Sequence, residues 1–272
     1  MFSPAKLDRF KVRKEELEKL RASFYTEALP LLENLYIMTY WIVLKKKSAK
    51  KIIKQIFFET IEYCNVTKNQ ADWQSWIYRI WMREINEFYE KKENDILTNF
   101  EFIDYSEISS YDNFSSSLKE SGIEHLLGKL PAVLRIPLII KEITQFKYEK
   151  IAELIDVPDG VVATRIYRAR KLLFLAGKNY NYSAERQNWL NKESTGKIFE
   201  LRKSALLADD ELTSEEESQL LNSVNHNHQL GIEIKLQKEI KDQIQRSISE
   251  NFSLNRLKSK IEKKAVNKFG HH

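Results

Sequence analysis

Four cationic residues lie close together near the middle of the 272-residue chain, interleaved with apolar residues at helical spacing. The guanidinium group of arginine is planar and can bind a phosphate or the edge of a guanine base through two hydrogen bonds. The pattern therefore predicts a helix with one packing face and one anion-binding face, although an ordinary helical hairpin with a charged face would also fit it. The cationic residues are Arg165, Arg168, Arg170 and Lys171, and the apolar ones are Val162, Ile166, Ala169 and Leu173.

The elements before this segment would position the cationic helix. The sequence predicts a helix from Tyr148 to Ile155, in which the small Ala152 permits a close helix crossing. Pro158 lies in a short turn, and the cationic helix follows from Gly160 to Leu173. Two helices joined by such a turn form a helix-turn-helix, which places its second helix in the major groove of DNA.

The composition favours helices over strands. The chain is 42% hydrophobic and 31% charged, with only 7 glycines and 5 prolines for tight turns. We therefore predict an all-α fold. The net charge of +5 is compatible with a polyanionic partner. The single cysteine, Cys64, excludes an internal disulfide and suits a reducing cytoplasm, and we expect neither a secretory signal nor a membrane-spanning segment.

The pattern along the chain predicts three helical domains and two linkers. A stretch with four carboxylates and no lysine or arginine predicts an acidic linker at 96–118. Ser214, followed by three glutamates, predicts a capped helix start. The last helix, from Leu254 to Lys268, places Leu254, Leu257, Ile261 and Ala265 on one face. The predicted domains are 1–95, 119–178 with the helix-turn-helix, and 196–269, and the second linker is 179–195.

Several of these segments resemble bacterial extracytoplasmic-function (ECF) sigma factors. The −35-reading domain of that family is similar to about fifty consecutive residues of this chain. They include Arg135-Ile136-Pro137-Leu138, Tyr148-Glu149-Lys150-Ile151-Ala152-Glu153 and Arg165-Ile166-Tyr167-Arg168-Ala169-Arg170. The segment Trp76-Ile77-Tyr78-Arg79-Ile80 resembles a helix of the family's other domain, which binds the polymerase clamp and melts the −10 element.

The resemblance implies that the partners are core RNA polymerase and promoter DNA. The implied −35 contacts are Lys147, Lys150, Asp159, Ala163, Thr164, Arg165, Arg168 and Arg170. The implied −10 contacts are Asn65, Lys68, Asn69, Gln70, Trp76, Arg79 and Arg83. The implied polymerase contacts are Lys51, Ile52, Lys54 and Gln55. Two departures stand out. Val162 and Ala163 replace more polar residues of the family, and the polymerase-binding segment carries lysines where carboxylates are common.

The C-terminal third extends beyond the usual end of such a factor. The run from Ala208 to Glu216 is similar to the opening of cytoplasmic anti-sigma domains. In those domains a following helix binds zinc through one histidine and two cysteines. The corresponding positions here hold Ser223, Asn227 and Leu230, so we expect no metal and no cofactor. The resemblance predicts a metal-free domain that contacts the rest of the chain and regulates it in cis. A stabilising extension or a docking site for another protein is the alternative.

The predicted function is promoter recognition for RNA polymerase. The alternative is a stand-alone helix-turn-helix regulator that binds duplex DNA without polymerase. We do not expect an enzyme, because the sequence has no glycine-rich phosphate loop, nucleophile elbow or cluster of metal ligands.

Overall fold

The computed structural model describes residues 15–63, 72–90, 122–177, 202–248 and 253–269. Over these ranges the fold is all-α, as predicted, and contains no strand. The predicted linkers at 96–118 and 179–195 lie outside the described residues. No helix in the described ranges is long and apolar enough to span a bilayer. The helices are α1 (15–23, continued by a π-helical turn at Phe24–Ala28), α2 (Leu31–Val43), α3 (Lys46–Tyr63), α4 (Trp73–Glu90), α5 (Ile123–Lys129), α6 (Ala132–Thr144), α7 (Tyr148–Ile155), α8 (Asp159–Gly177), α9 (Lys203–Ala208), α10 (Ser214–Val224), α11 (His228–Ile248) and α12 (Asn255–Phe269).

The chain forms two compact units, which differ from the three predicted domains. One unit joins 1–93 to 251–272, and the other comprises 94–250. The predicted C-terminal domain at 196–269 is thus divided: α9, α10 and α11 belong to the second unit and α12 to the first. The physical reason is that a lone amphipathic helix such as α12 must bury its apolar face against another element, and it packs on α3.

Aromatic residues form the core of the first unit. The ring of Phe24 lies 6.5 Å from that of Phe57, 5.7 Å from Trp73 and 5.8 Å from Phe269, measured between centroids. Phe57 and Trp73 meet Phe24 edge to face, and Phe269 meets it at an interplanar angle of 51°. Aromatic pairs at these distances add to the stabilisation from burial alone. Phe269 is the last residue of α12. The C-terminal helix therefore completes a core that begins with α1.

The buried face of α12 agrees with the predicted one at three positions. Leu257, Ile261 and Ala265 are buried, whereas most basic residues of the helix are exposed. Lys264 is a partial exception: its ammonium nitrogen lies 2.7 Å from a carboxylate oxygen of Glu62 and 5.9 Å above the ring of Phe58, both on α3. An apolar seam flanked by an ion pair therefore joins α12 to α3.

In the second unit, α9, α10 and α11 share a small apolar cluster, and α9 and α11 also pack on α8. The cluster consists of Leu207, Leu220, Leu230 and Ile234, with Leu212 and Val224 against it. Helix α10 starts at Ser214 with a cap, as predicted, but the capping residue is Thr213, one residue before the serine. The hydroxyl of Thr213 accepts from the backbone N–H of Glu216, whose carboxylate accepts from the backbone N–H of Thr213. This reciprocal pair fixes the first turn of α10.

Candidate nucleic-acid interface

Helices α7 and α8 and the turn between them form the helix-turn-helix. Helix α7 has the predicted bounds, and α8 starts one residue before the predicted helix and ends four residues after it. Asp156 ends α7 in the left-handed conformation with φ of 55°, which aspartate tolerates better than most residues. The backbone N–H of Val157 donates to the carbonyl of Ala152, and Pro158 opens the next turn. Local backbone chemistry thus sets the angle between the two helices.

The packing face of α8 matches the prediction. Val162, Ile166, Ala169 and Leu173 are fully buried. From α7, Ile151 and Ala152 are also buried, so the small side chain of Ala152 lies inside the packed pair. These buried side chains pack α7 against α8.

The predicted −35 residues divide into three groups by exposure. Lys147, Lys150 and Asp159 are exposed at the beginnings of α7 and α8. Thr164, Arg165 and Arg168 are half-buried along α8. Ala163 and Arg170 are buried, at 3% and 0% exposure, so the prediction that they contact DNA is wrong for this conformation. Arg170 is buried because the carboxylates of Glu142 and Asp209 pair with its guanidinium in place of water.

Arg170 is the centre of a buried ionic network. Its Nη2 atom lies 2.6 Å from Oε1 of Glu142 on α6 and 2.8 Å from Oδ1 of Asp209, directly after α9. Asp209 also accepts a hydrogen bond of 2.6 Å from the hydroxyl of Tyr148 and lies 3.2 Å from Nζ of Lys241. A guanidinium held by two carboxylates cannot turn towards a phosphate unless the network opens.

The residues after Asp209 continue this contact onto the start of α7. The Lys147 ammonium donates to the carbonyl of Asp210 at 2.7 Å. The Glu211 carboxylate accepts from Lys141 at 2.6 Å and from the backbone N–H of Tyr148 at 3.3 Å. Asp209, Asp210 and Glu211 together form the acidic turn. Sequence reasoning noted this run but did not predict where it docks.

A second set of contacts links α8 to α11. Lys171 forms a buried ion pair with Glu233, which lies 62 residues further along the chain. The side-chain amide of Gln237 donates to the carbonyl of Tyr167 at 3.3 Å. Because both α11 side chains are buried, this contact is part of the core of the unit. Sequence reasoning missed both, since their partners are distant in the chain.

Burial and charge shift the pKa values across this network. Burial raises the pKa of Glu142, against the opposing effect of Arg170. Burial would also raise the pKa of Asp209, but Arg170, Tyr148 and Lys241 together hold it below its usual value. Burial, reinforced by Asp209, raises the pKa of Tyr148 well above 10. The network therefore favours an ionised Asp209 beside a neutral phenol at neutral pH.

On α8, burial also shifts the pKa values of basic side chains. Burial lowers the pKa of Lys171, with Glu233 offsetting part of the effect. Partial burial lowers the pKa of Arg165, although an arginine remains charged at physiological pH. Partial desolvation strengthens electrostatic attraction to an anion, because less water competes for the charge. Arg165 is thus suited to a phosphate or a base edge.

In the first unit, the predicted −10 residues lie partly within the described ranges. Trp76 is half-buried on α4 and stacks on Trp73 with an interplanar angle of 10° and a centroid distance of 6.1 Å. Arg79 and Arg83 are exposed, and Arg83 forms an ion pair of 2.5 Å with Glu59. The other four −10 candidates, Asn65, Lys68, Asn69 and Gln70, lie outside the described residues.

The predicted polymerase contacts lie on α3. Lys51, Lys54 and Gln55 are exposed, and the Lys54 ammonium lies 4.9 Å from the ring of Phe58. Ile52 is only 7% exposed, so its predicted direct contact is wrong for this conformation; it packs in the core that supports the surface. The exposed surface is basic and adjoins α12.

Comparison with known proteins agrees with this geometry. The family model for sigma-70, region 4 matches residues 121–173, which span α5 to α8 up to Leu173. The RNA polymerase sigma factor SigV of Bacillus subtilis is 23% identical over 141 residues, covering 52% of this chain and 82% of the relative. The region 4 match and the curated relatives support an ECF sigma factor.

Two further relatives of this chain carry the ECF name in full. The ECF RNA polymerase sigma-E factor of Haemophilus influenzae is 24% identical over 137 residues, covering 45% of this chain and 70% of the relative. The ECF RNA polymerase sigma factor SigW of Bacillus subtilis is 24% identical over 154 residues, covering 52% and 81%. The region 4 match ends at Leu173, so α9 to α12 lie beyond the family model.

Proposed function

We propose that this chain directs RNA polymerase to specific promoters as an ECF sigma factor. The observation that carries the proposal is the helix-turn-helix within the region 4 match, with Lys147, Thr164, Arg165 and Arg168 at or near its surface. The chain supplies DNA recognition, and the polymerase performs the chemistry. The family resemblance assigns the −10 and polymerase contacts to residues of the first unit. A stand-alone helix-turn-helix regulator would not need that unit.

Within this proposal, the second unit reads duplex DNA at the −35 element. The amino-terminal part of a recognition helix contacts base edges, and the helix before it crosses the phosphate backbone. Thr164, Arg165 and Arg168 are the candidates for base or phosphate contacts on α8. Lys147 and Lys150 are positioned for backbone phosphates at the start of α7.

The first unit would hold the polymerase clamp and the melted −10 strand. The proposed clamp surface is the exposed part of α3, Lys51, Lys54 and Gln55, so its partner surface must tolerate positive charge. Arg79 and Arg83 on α4 are the candidate −10 strand contacts, with the half-buried Trp76 beside them.

The test is transcription with purified core polymerase on a library of randomised −35 and −10 elements. We expect a restricted set of promoters to be transcribed only when the chain is present. Co-elution with core polymerase and opening of the −10 region are expected as well. Sequence-specific DNA binding with neither property would support the stand-alone regulator instead.

We further propose that residues 202–269 regulate the sigma factor in cis. The proposal rests on the docking of α9 and α11 on the helix-turn-helix in one unit, and of α12 on α3 in the other. Comparing the full chain with a chain that ends after Lys192 in the same assay tests this. A change in promoter-dependent output in either direction is expected, and equal output would count against regulation.

A further inference from the structure

We infer that the acidic turn is a latch that occupies the phosphate-binding end of the helix-turn-helix, so that its docking and DNA binding exclude each other. The inference rests on the proposed DNA-reading function of the second unit and identifies how the extension would control it. Its basis is a set of contacts between Asp209, Asp210, Glu211 and the cationic residues of α6, α7 and α8.

The first argument is the place where the turn binds. The beginning of a helix carries partial positive charge and free N–H groups, and a preceding lysine adds a full charge. At α7 these groups are the N–H of Tyr148 and the ammonium of Lys147, and the acidic turn accepts from both. In a helix-turn-helix bound to DNA, this helix crosses the sugar-phosphate backbone. A carboxylate and a carbonyl thus stand where phosphate oxygens would stand.

The second argument is the start of the recognition helix. Arg202, directly before α9, reaches the first turn of α8: its Nη1 atom lies 3.5 Å from the carbonyl of Gly160 and 3.2 Å from the position that a Cβ atom would take at Gly160. The amino-terminal part of a recognition helix is the part that approaches base edges. The extension therefore flanks the starts of both DNA-facing helices.

The third argument is charge. The acidic turn is held by two buried ion pairs, one to Lys141 of α6 and one to Arg170 of α8. Lys141 and Glu211 have side chains only 4% and 9% exposed, and those of Arg170 and Asp209 are both fully buried. Breaking one partner of such a pair leaves an unpaired buried charge, which favours the undocked state. The latch should respond steeply to single changes in the acidic turn.

The decisive variant is Glu211→Gln in the full chain, compared with Glu217→Gln. Both substitutions remove one negative charge, but Glu217 is exposed on α10, away from the acidic turn. Affinity is measured by fluorescence anisotropy on a duplex selected from a randomised library by its binding to the chain alone, without polymerase. We expect Glu211→Gln to bind this duplex about tenfold or more tightly than wild type, because a larger fraction of the chain is binding-competent. Equal affinity of the two variants would overturn the latch.

Hydrogen exchange gives a second readout that needs no substitution. Linkage is reciprocal: if docking of the acidic turn weakens DNA binding, then DNA binding must weaken docking. Saturating the wild-type chain with the duplex should therefore release α9 and expose its backbone N–H groups to solvent. We expect the amides of 205–209 to exchange faster with duplex present, whereas those in the middle of α8 do not. Unchanged exchange at 205–209 with the duplex bound would overturn the inference.

The two proposals fail in different ways. A chain that shows this competition but never directs core polymerase would refute the sigma assignment and leave the latch intact. A chain that directs transcription and binds the duplex while α9 stays docked would refute the latch and leave the sigma assignment intact. Readouts of transcription and of docking are therefore both required.

Discussion

Arg170 and Asp209 lie 39 residues apart in sequence, yet Nη2 of the arginine donates to Oδ1 of the aspartate at 2.8 Å, and both side chains are fully buried. Arg170 belongs to α8, the proposed recognition helix, and Asp209 follows α9 of the extension. This one contact joins the DNA-reading element to the segment proposed to control it. The stability of the second unit should therefore depend on a residue outside the region 4 match.

Replacing Asp209 with Asn should destabilise the second unit. The substitution removes the charge that opposes Arg170 in a site without solvent, and breaking a buried pair costs about 3 kcal/mol or more. The neighbouring Asp210 is exposed, so Asp210→Asn should change the free energy of unfolding by about 0.5 kcal/mol or less. Urea denaturation followed by circular dichroism measures both values. Similar losses in the two variants would contradict the buried network.

Tyr148 predicts a specific loss of stability in alkali. Burial and Asp209 raise the pKa of Tyr148 in the folded chain, whereas its unfolded value is about 10. The stabilisation from the neutral phenol is fully present below pH ~10 and is lost as pH rises from there towards the folded pKa. Tyr148→Phe lacks this dependence. The stability difference between wild type and variant should therefore shrink above pH ~10, by about 1.4 kcal/mol per pH unit.

Urea titrations at several pH values between 8 and 11 measure this difference. At pH 8 the variant should be the less stable chain, because it has lost the hydrogen bond from Tyr148 to Asp209. A difference that stays constant across the range would mean that the phenol ionises freely in the folded chain. That result would contradict the buried position of Tyr148.

Local signals in the sequence predict much of this fold. The bounds of α7 were predictable because its apolar spacing is regular and Asp156 and Pro158 end it within three residues. The start of α10 was predictable from its glutamates after Ser214. Such signals act over a few residues, and the physics that produces them is contained in the segment itself.

Long-range pairing was not predictable in the same way. Periodicity placed Arg170 and Lys171 beside the apolar face of α8, and a charge at such a position is usually solvated. Their burial depends on Asp209 and Glu233, which are distant in sequence and carry no local mark of their partners. For the same reason the sequence predicted one C-terminal domain, whereas the structure assigns α9 to α11 to one unit and α12 to the other.

The proposed DNA contacts separate into two classes in a salt titration. If Arg165 or Arg168 reads a base edge, its replacement by Ala should weaken −35 binding by about 1–3 kcal/mol and relax the preference at one position. Lys147→Ala should instead weaken binding to all sequences and reduce the slope of log K against log salt by about 1. Anisotropy titrations at three salt concentrations measure both effects. Lys235→Ala, an exposed position on α11, is the charge-matched control; equal behaviour of all four variants would count strongly against α8 as the reading helix.

Phe269 tests whether the extension also stabilises the first unit. Its side chain is 6% exposed and its ring contacts Phe24, so Phe269→Ala removes an aromatic from the core and should cost about 3–5 kcal/mol of unfolding free energy. Val266, on the same helix, is 42% exposed, and Val266→Ala should cost about 0.5 kcal/mol or less. Urea denaturation followed by tryptophan fluorescence suits this unit, because Trp73 lies in the same aromatic cluster. Equal stability of the two variants would mean that α12 is not docked on α3 in solution, and the first unit would then have to close its core without the C-terminal helix.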